Sequence, residues 1–318
     1  MGPGLLGYTI RRLLWAIPVL FVISFLVFAM LRLAPGDPVD KILGQRYDEQ
    51  EAERLRAKYG YDQPLLQQYV TYMGNLAKGD LGVSTRRRDF DVSEIVWPRI
   101  WVSTRLGLMA LAISFGLGIP MGIYAALARG TFLDPLIIGG WLLLDAIPTI
   151  VLIPVVTWFF ALKLGVVDLS YRGLASPNII PAVLILGLTG VAGVARFMRA
   201  SILQASSEDY VRTARAKGLP ERTVIIRHVT RNAMLPMVTV IGLSLPGVAA
   251  GSLFIERFFG IPGIGNEAVE AVLGPDYDVI LALVLFGSFL FVFANVVIDI
   301  AYAIIDPRIR LGAERSAV

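Results

Sequence analysis

Leu13-Leu14-Trp15-Ala16-Ile17-Pro18-Val19-Leu20-Phe21-Val22-Ile23-Ser24-Phe25-Leu26-Val27-Phe28-Ala29-Met30-Leu31 contains no charged residue. Arg11 and Arg12 precede it and Arg32 follows. A helix needs about 20 mostly apolar residues to cross a hydrocarbon core of roughly 30 Å. This run has that length. It exceeds the apolar region of a secretory leader and lacks a small-residue cleavage pattern before Arg32. It therefore reads as a membrane span kept in the mature protein, with the N-terminus in the cytoplasm.

The rest of the chain follows the same pattern. Of its 318 residues 56% are hydrophobic and 17% charged, against about 25% charged in ordinary soluble proteins. Twenty of the charged residues lie in Lys41–Arg105, leaving long tracts elsewhere almost uncharged. Five such tracts read as further spans: Leu106–Leu127, Leu136–Leu162, Ile179–Phe197, Leu235–Phe254 and Val279–Ile305. Gly116, Gly118, Pro120 and Gly122 in the second span predict a bend or a close helix contact. The expected fold class is an all-α integral membrane protein with six helical spans.

Composition also excludes chemistry. With Cys 0 and His 1, disulfides, thiolate sites and multi-histidine metal sites are ruled out. The net charge of +4 sits beside hydrophobic spans, where it sets membrane orientation rather than marking a nucleic-acid partner. Basic residues concentrate in 198–234 and after Ile305, whereas Glu256, Glu267, Glu270, Asp276 and Asp278 follow the fifth span. Both termini are thus expected in the cytoplasm. Arg86-Arg87-Arg88 opposes this bias, but it lies in a long segment where the rule is weak.

Residues 34–103 are too long for a simple connection. Ala34-Pro35-Gly36-Asp37-Pro38 reads as a turn, Asp48–Tyr59 as a helix ended by Gly60, and Asp62 as the cap of a second helix with Pro64 in its first turn. A third helix is expected near Val92–Trp101. Together these predict a small external cap, either packed against neighbouring loops or receiving a partner. The second polar segment, about 198–234, is strongly basic and broken at Gly218 and Pro220. Short helices are expected at Glu208–Lys217, capped by Ser206 or Ser207, and at Thr223–Asn232. From its residues alone the segment reads equally as a docking element or as a solvated loop that fixes topology. The division expected is 1–103 for the first span and external segment, 104–305 for the membrane domain, and 306–318 for a cytoplasmic tail.

Glu208-Asp209-Tyr210-Val211-Arg212-Thr213-Ala214-Arg215-Ala216-Lys217-Gly218-Leu219 resembles the cytoplasmic coupling loop of binding-protein-dependent ABC importer permeases, in the dipeptide/oligopeptide/nickel family. The run Arg227-His228 through Arg231-Asn232-Ala233-Met234-Leu235-Pro236 fits the same family. Leu31 to Pro38, Tyr61-Asp62-Gln63-Pro64-Leu65 and Gly79-Asp80-Leu81-Gly82 resemble the first, B-type permease subunit of peptide importers. Glu256-Arg257-Phe258-Phe259-Gly260-Ile261-Pro262-Gly263-Ile264-Gly265 and Asp306-Pro307-Arg308 also fit. One departure stands out. The generic loop has Glu-Ala-Ala where this chain has Arg212, Thr213 and Ala214, and its Ile-x-Leu-Pro falls on His228, Val229, Thr230 and Arg231; peptide-type permeases resemble this variant.

The resemblance implies the six-helix type I ABC importer transmembrane fold, with an external helical insertion between spans 1 and 2. It implies a bacterial or archaeal cytoplasmic membrane, a homologous C-type permease partner, two ABC ATPase subunits, an extracytoplasmic solute-binding protein and a peptide substrate. The chain has no GxxxxGK[ST] phosphate loop, so it cannot supply the nucleotide site itself; the resemblance implies a non-catalytic subunit, with ATP and Mg expected on the ATPase partners. Glu208, Asp209, Tyr210, Arg212, Thr213, Ala214, Arg215, Lys217 and Gly218 are the implied ATPase-coupling residues. Arg212, Arg215 and Lys217 are expected to pair with acidic groups there.

Candidates for a translocation path or gate are Pro120, Asp145, Pro148, Gly190, Gly193 and Pro246; Asp145 and Asp299 are carboxylates within spans. Glu256, Arg257, Phe258, Gly260, Pro262 and Gly263 form an expected external loop. Nickel, glutathione or oligosaccharide permeases remain alternatives. A stand-alone secondary transporter would show more charge inside its spans and an inverted repeat.

Overall fold

The computed structural model describes residues 5–33, 39, 43, 48–87, 90–168 and 170–305. The turn at Ala34–Pro38, Arg88, the tail 306–318 with Asp306-Pro307-Arg308, and the side chain of Asp299 lie outside the described residues. Among the described residues the architecture is all-α, with an isolated bridge between Val83 and Asp91.

The helices are α1 (Leu5–Arg32), α2 (Glu49–Tyr59), α3 (Leu65–Leu76), α4 (Val92–Leu127), α5 (Leu133–Asp145), α6 (Thr149–Thr157) and α7 (Ile180–Ser206). Then come α8 (Asp209–Ala216), α9 (Arg231–Ala250), α10 (Leu253–Phe258), α11 (Ile264–Leu273) and α12 (Tyr277–Ile305). Four described stretches are long and apolar enough to cross a membrane: Thr9–Arg32, Val92–Leu127, Pro177–Ser206 and Tyr277–Ile298. Leu133–Asp145 and Thr149–Lys163 add a fifth if counted together, bent by 92° at their break. The helix α9, which carries Arg231, Pro236 and Pro246, falls outside that set.

Several expected boundaries are corrected. No separate helix ends at Trp101, because Val92–Leu127 is one 36-residue helix. Arg99 to Leu106 includes Ser103, Thr104 and Arg105 but no glycine or proline, so polarity changes there without any conformational break. Pro64 occupies the cap position of α3 in place of Asp62. The expected third span is broken after Asp145, where Pro148 caps α6. The fourth runs on to Ser206, past Arg199. Gly251 ends α9, so Phe254 belongs to α10.

By packing the chain forms two compact units, Met1–Trp101 with Pro262–Val318, and Val102–Ile261. In the first, α1 packs along α12, and Phe28, Tyr69 and Leu281 form a buried cluster. Tyr69 brings α3 against α1, its hydroxyl 2.7 Å from Ser24 Oγ and donating to the Phe21 carbonyl at 3.2 Å. Asp48 caps α2 by accepting from the Gln50 N–H, and Gly60 ends it at φ 67°, a left-handed conformation that favours a residue without Cβ.

In the same unit Arg87 is tied to α11 and Ser84 to Asp276 just beyond it. The Glu267 carboxylate, 4% exposed, lies between Arg99 Nε at 2.6 Å and Arg87 Nη1 at 3.0 Å. The Ser84 hydroxyl donates to Asp276. Val92, Ile95, Val96 and Ile100 bury themselves against Ile264, Ala271, Val279 and Leu283.

In the second unit α4 and α7 approach through glycines. A Cβ on Gly118 would lie 2.6 Å from Val194 Cβ, and one on Gly187 would lie 2.7 Å from Ile113 Cβ. Ser114 donates to the Gly187 carbonyl at 2.6 Å. Small residues of this kind let membrane helices meet backbone to backbone.

Candidate functional site

The segment that follows α7 folds back on it. Ser206 and Ser207 do not cap α8 as expected: their hydroxyls donate to the Ile202 and Gln204 carbonyls. Glu208 holds the cap position without a side-chain hydrogen bond. Val211 and Ala214, three apart on α8, are buried among Met198, Ile202, Val224, Val229 and Met237. Two buried residues on eight are enough to fix which face points outward. Asp209, Tyr210, Arg212, Thr213, Arg215 and Lys217 are consequently exposed.

Gly218 closes α8 at φ 75°, with its N–H donating to the Arg215 carbonyl at 2.9 Å. Nothing lies within 4 Å of a Cβ placed there. The left-handed backbone, rather than crowding, is what favours glycine. Pro220 then starts a helical turn, Glu221–Thr223, which widens into a π-helical stretch, Val224–Thr230, and runs directly into α9. The expected separate helix Thr223–Asn232 is thus the entry to α9.

Across this turn Arg215 donates to Glu221 through Nε at 3.1 Å and Nη2 at 2.7 Å. These hydrogen bonds hold the Glu221 carboxyl below its ordinary range. The clue in sequence was an opposite charge six residues on, across Gly218-Leu219-Pro220, which the turn folds back. Arg215 is engaged within its own chain. Arg212, paired with Asp209 at 3.4 Å and 74% exposed, and Lys217 project from the segment.

The six path candidates lie on or beside five helices. Pro120 lies in α4, Pro246 in α9, Asp145 is the exposed last residue of α5, and Pro148 caps α6. Gly190 meets Ser114, whereas Gly193 faces open space. A cavity of about 180 Å³ in this unit is lined by other residues, among them Ser103, Gly107, Ser244, Gly247 and Glu256. Glu256 is fully buried, accepting from the Ser103 hydroxyl at 2.7 Å and the Ser252 N–H at 3.1 Å. In the run expected as an external loop, Leu253–Phe258 is helical, Glu256 and Gly263 are buried, and Arg257, Phe258, Gly260 and Pro262 are exposed.

The family model described as binding-protein-dependent transport system inner membrane component matches residues 118–311. A second, described as the N-terminal part of such a membrane component, matches residues 5–90. The chain belongs to this family.

With four or more apolar helices, this member of the family is a multi-pass inner-membrane protein. Its relatives span it almost entirely. The oligopeptide transport system permease protein OppB of Haemophilus influenzae is 36% identical over 307 residues, covering 96% of this chain and 100% of that one. OppB of Escherichia coli is 36% identical over 308 residues with the same coverage. The glutathione transport system permease protein GsiC of Escherichia coli is 38% identical over 309 residues, covering 96% and 99%.

Proposed function

We propose that the chain is a permease subunit of an ATP-driven importer that carries peptides across the inner membrane into the cell. The observation that carries this reading is the near full-length similarity to permeases named for oligopeptide and glutathione transport. Glutathione is itself a tripeptide, so the second name narrows the cargo to short peptides rather than opposing it.

In this reading the chain pairs with a homologous C-type permease. Two ABC ATPase subunits bind ATP and Mg and hydrolyse the nucleotide, and an extracytoplasmic solute-binding protein delivers the peptide. The α9 helix supplies the sixth span, the termini lie in the cytoplasm, and the division is residues 1–103, 104–305 and 306–318. The exposed face of α8 docks into an ATPase subunit, with Tyr210, Arg212 and Lys217 as its contacts. The burial of Val211 and Ala214 supports this role, because it ties α8 firmly to the ends of α7 and α9. Movement of α8 is then passed to both helices. Pro120, Asp145, Pro148, Gly190, Gly193 and Pro246 remain path candidates, and Arg257, Phe258, Gly260 and Pro262 candidate outer contacts.

The test is reconstitution with the partner subunits in proteoliposomes, followed by uptake of a labelled tripeptide. ATP-dependent uptake is expected. Calorimetry on the cognate binding protein checks the cargo: tight binding of a sugar and none of peptides refutes the peptide assignment.

A further inference from the structure

The stretch that leads into α9 carries one residue more than an α-helix would accommodate. Val229, Ala233 and Met237 follow one another at four-residue intervals and are all buried in one cluster, as is Val224, five residues before Val229. At roughly 100° per residue, a continuous α-helix would set Val224 and Val229 about 140° apart, on different faces. The backbone keeps both on the buried line by widening to π geometry over Val224–Thr230. Such stretches are rare and gather at functional sites.

A second residue can take the place of Val224. Ile225, four before Val229, is apolar and half-buried. Tightening the stretch to an α-helix would bring Ile225 onto the buried line and turn Val224 off it. Either register sets an aliphatic side chain toward Met198, Ile202, Val211 and Ala214, and the two side chains differ by one methylene. The sequence thus offers the same helix two ways to bury itself, without a polar group entering the cluster in either.

Both ends of the stretch are fitted for this exchange. At its C-terminal end Asn232 donates through Nδ2 to the His228 carbonyl at 2.8 Å, supplying a donor where five-residue and four-residue backbone pairing meet. At its N-terminal end the two hydrogen bonds from Arg215 to Glu221 tie the turn Glu221–Thr223 to α8. A displacement of α8 against α9 therefore falls on Val224–Thr230.

We propose, resting on the coupling role given above to α8, that Val224–Thr230 is a register switch. It exchanges Val224 for Ile225 during the ATP cycle and moves α8 against α9 by one residue, about 1.5 Å along the helix and about 100° around it. The chain has no cysteine, so Val224→Cys and Ile225→Cys each introduce one thiol, to be labelled with a maleimide and read on the permease band. The importer complex is labelled in proteoliposomes without nucleotide and after trapping with ATP and vanadate. Labelling at the two positions should change about tenfold in opposite directions, as for a two-state equilibrium pushed from one side to the other. A partner that docks or leaves would shield or bare both alike. Changes in the same direction, at one position only or at neither overturn the switch, whether or not the vesicles take up tripeptide. Opposite changes without uptake keep the switch and remove the import reading. Deletion of Ile226 restores four-residue spacing between Val224 and Val229 and fixes one register. It should retain ATPase co-purification yet lose the labelling change and most uptake, and full uptake by this variant also overturns the switch. If the deletion fails to fold, the labelling decides alone.

Discussion

Arg199 grips Asp134 with two nitrogens, Nε donating at 2.6 Å and Nη2 at 2.5 Å, and so ties the first turn of α5 to α7. Both side chains are largely shielded, at 29% and 11% exposure. Arg199 stands near the end of α7, the helix that leads into α8. Removing one partner leaves the other partly buried and unpaired. Arg199→Ala or Asp134→Ala should therefore destabilise the subunit by about 1–3 kcal/mol, between the values for exposed and buried pairs. Thermal melting in detergent checks this. A double Ala variant that loses the full sum of the single effects would show that the two groups do not interact.

Gly218 offers a sharper contrast. Gly218→Ala meets no neighbour and should cost only about 1 kcal/mol for its left-handed backbone. Gly218→Pro requires a negative φ where the chain has 75°, and removes the N–H that bonds Arg215. It should sharply reduce both ATPase co-purification and peptide uptake, whereas the Ala variant retains most of each. Normal assembly and uptake by Gly218→Pro would rule out this turn as a coupling element.

The α4–α7 seam makes glycines separable. Gly187→Ala should destabilise by roughly 1–3 kcal/mol, because its Cβ would fall 2.7 Å from Ile113. Gly193→Ala, with nothing within 4 Å, should be neutral or slightly stabilising in its helix. Parallel melting curves of the two variants decide it. If Gly193→Ala abolishes transport without altering the melt, that position has a role beyond packing.

Burial, with Asp278 adding to it and Arg32 opposing, pushes the Tyr61 hydroxyl from its ordinary 10.0 up to about 12. The unfolded chain releases this proton first, so stability from this group is complete below pH 10 and is lost as pH rises through 12. Melting temperatures from pH 9 to 12 should consequently fall more steeply for the parent than for Tyr61→Phe. Parallel slopes would contradict the shift.

Much of the fold was legible because apolar length is a direct physical demand of the bilayer. Leu13–Leu31 lies within α1, and Val279–Ile305 within α12. Helix ends read well where a backbone conformation was at stake, as at Asp48, Gly60 and Gly218. They read badly where polarity was taken for structure. Ser103 and Arg105 suggested a boundary inside α4, and Arg199 suggested an end to α7, yet none of the three breaks a helix. Long-range partners were beyond reach. Nothing local announces that Arg199 meets Asp134, that Ser103 meets Glu256, or that the Glu267 carboxylate is clasped by Arg87 and Arg99.

The elbow between Asp145 and Thr149 has its own consequence. At 1.5 Å per residue the two arms, Leu133–Asp145 and Thr149–Lys163, are about 20 Å and 22 Å long, so neither crosses the hydrocarbon unaided. Where they meet, the helical ladder stops, and lipid tails offer nothing to replace it. The corner must turn toward water or another polypeptide. It acts as a shoreline, dividing a flank of the subunit that tolerates oil from one that does not.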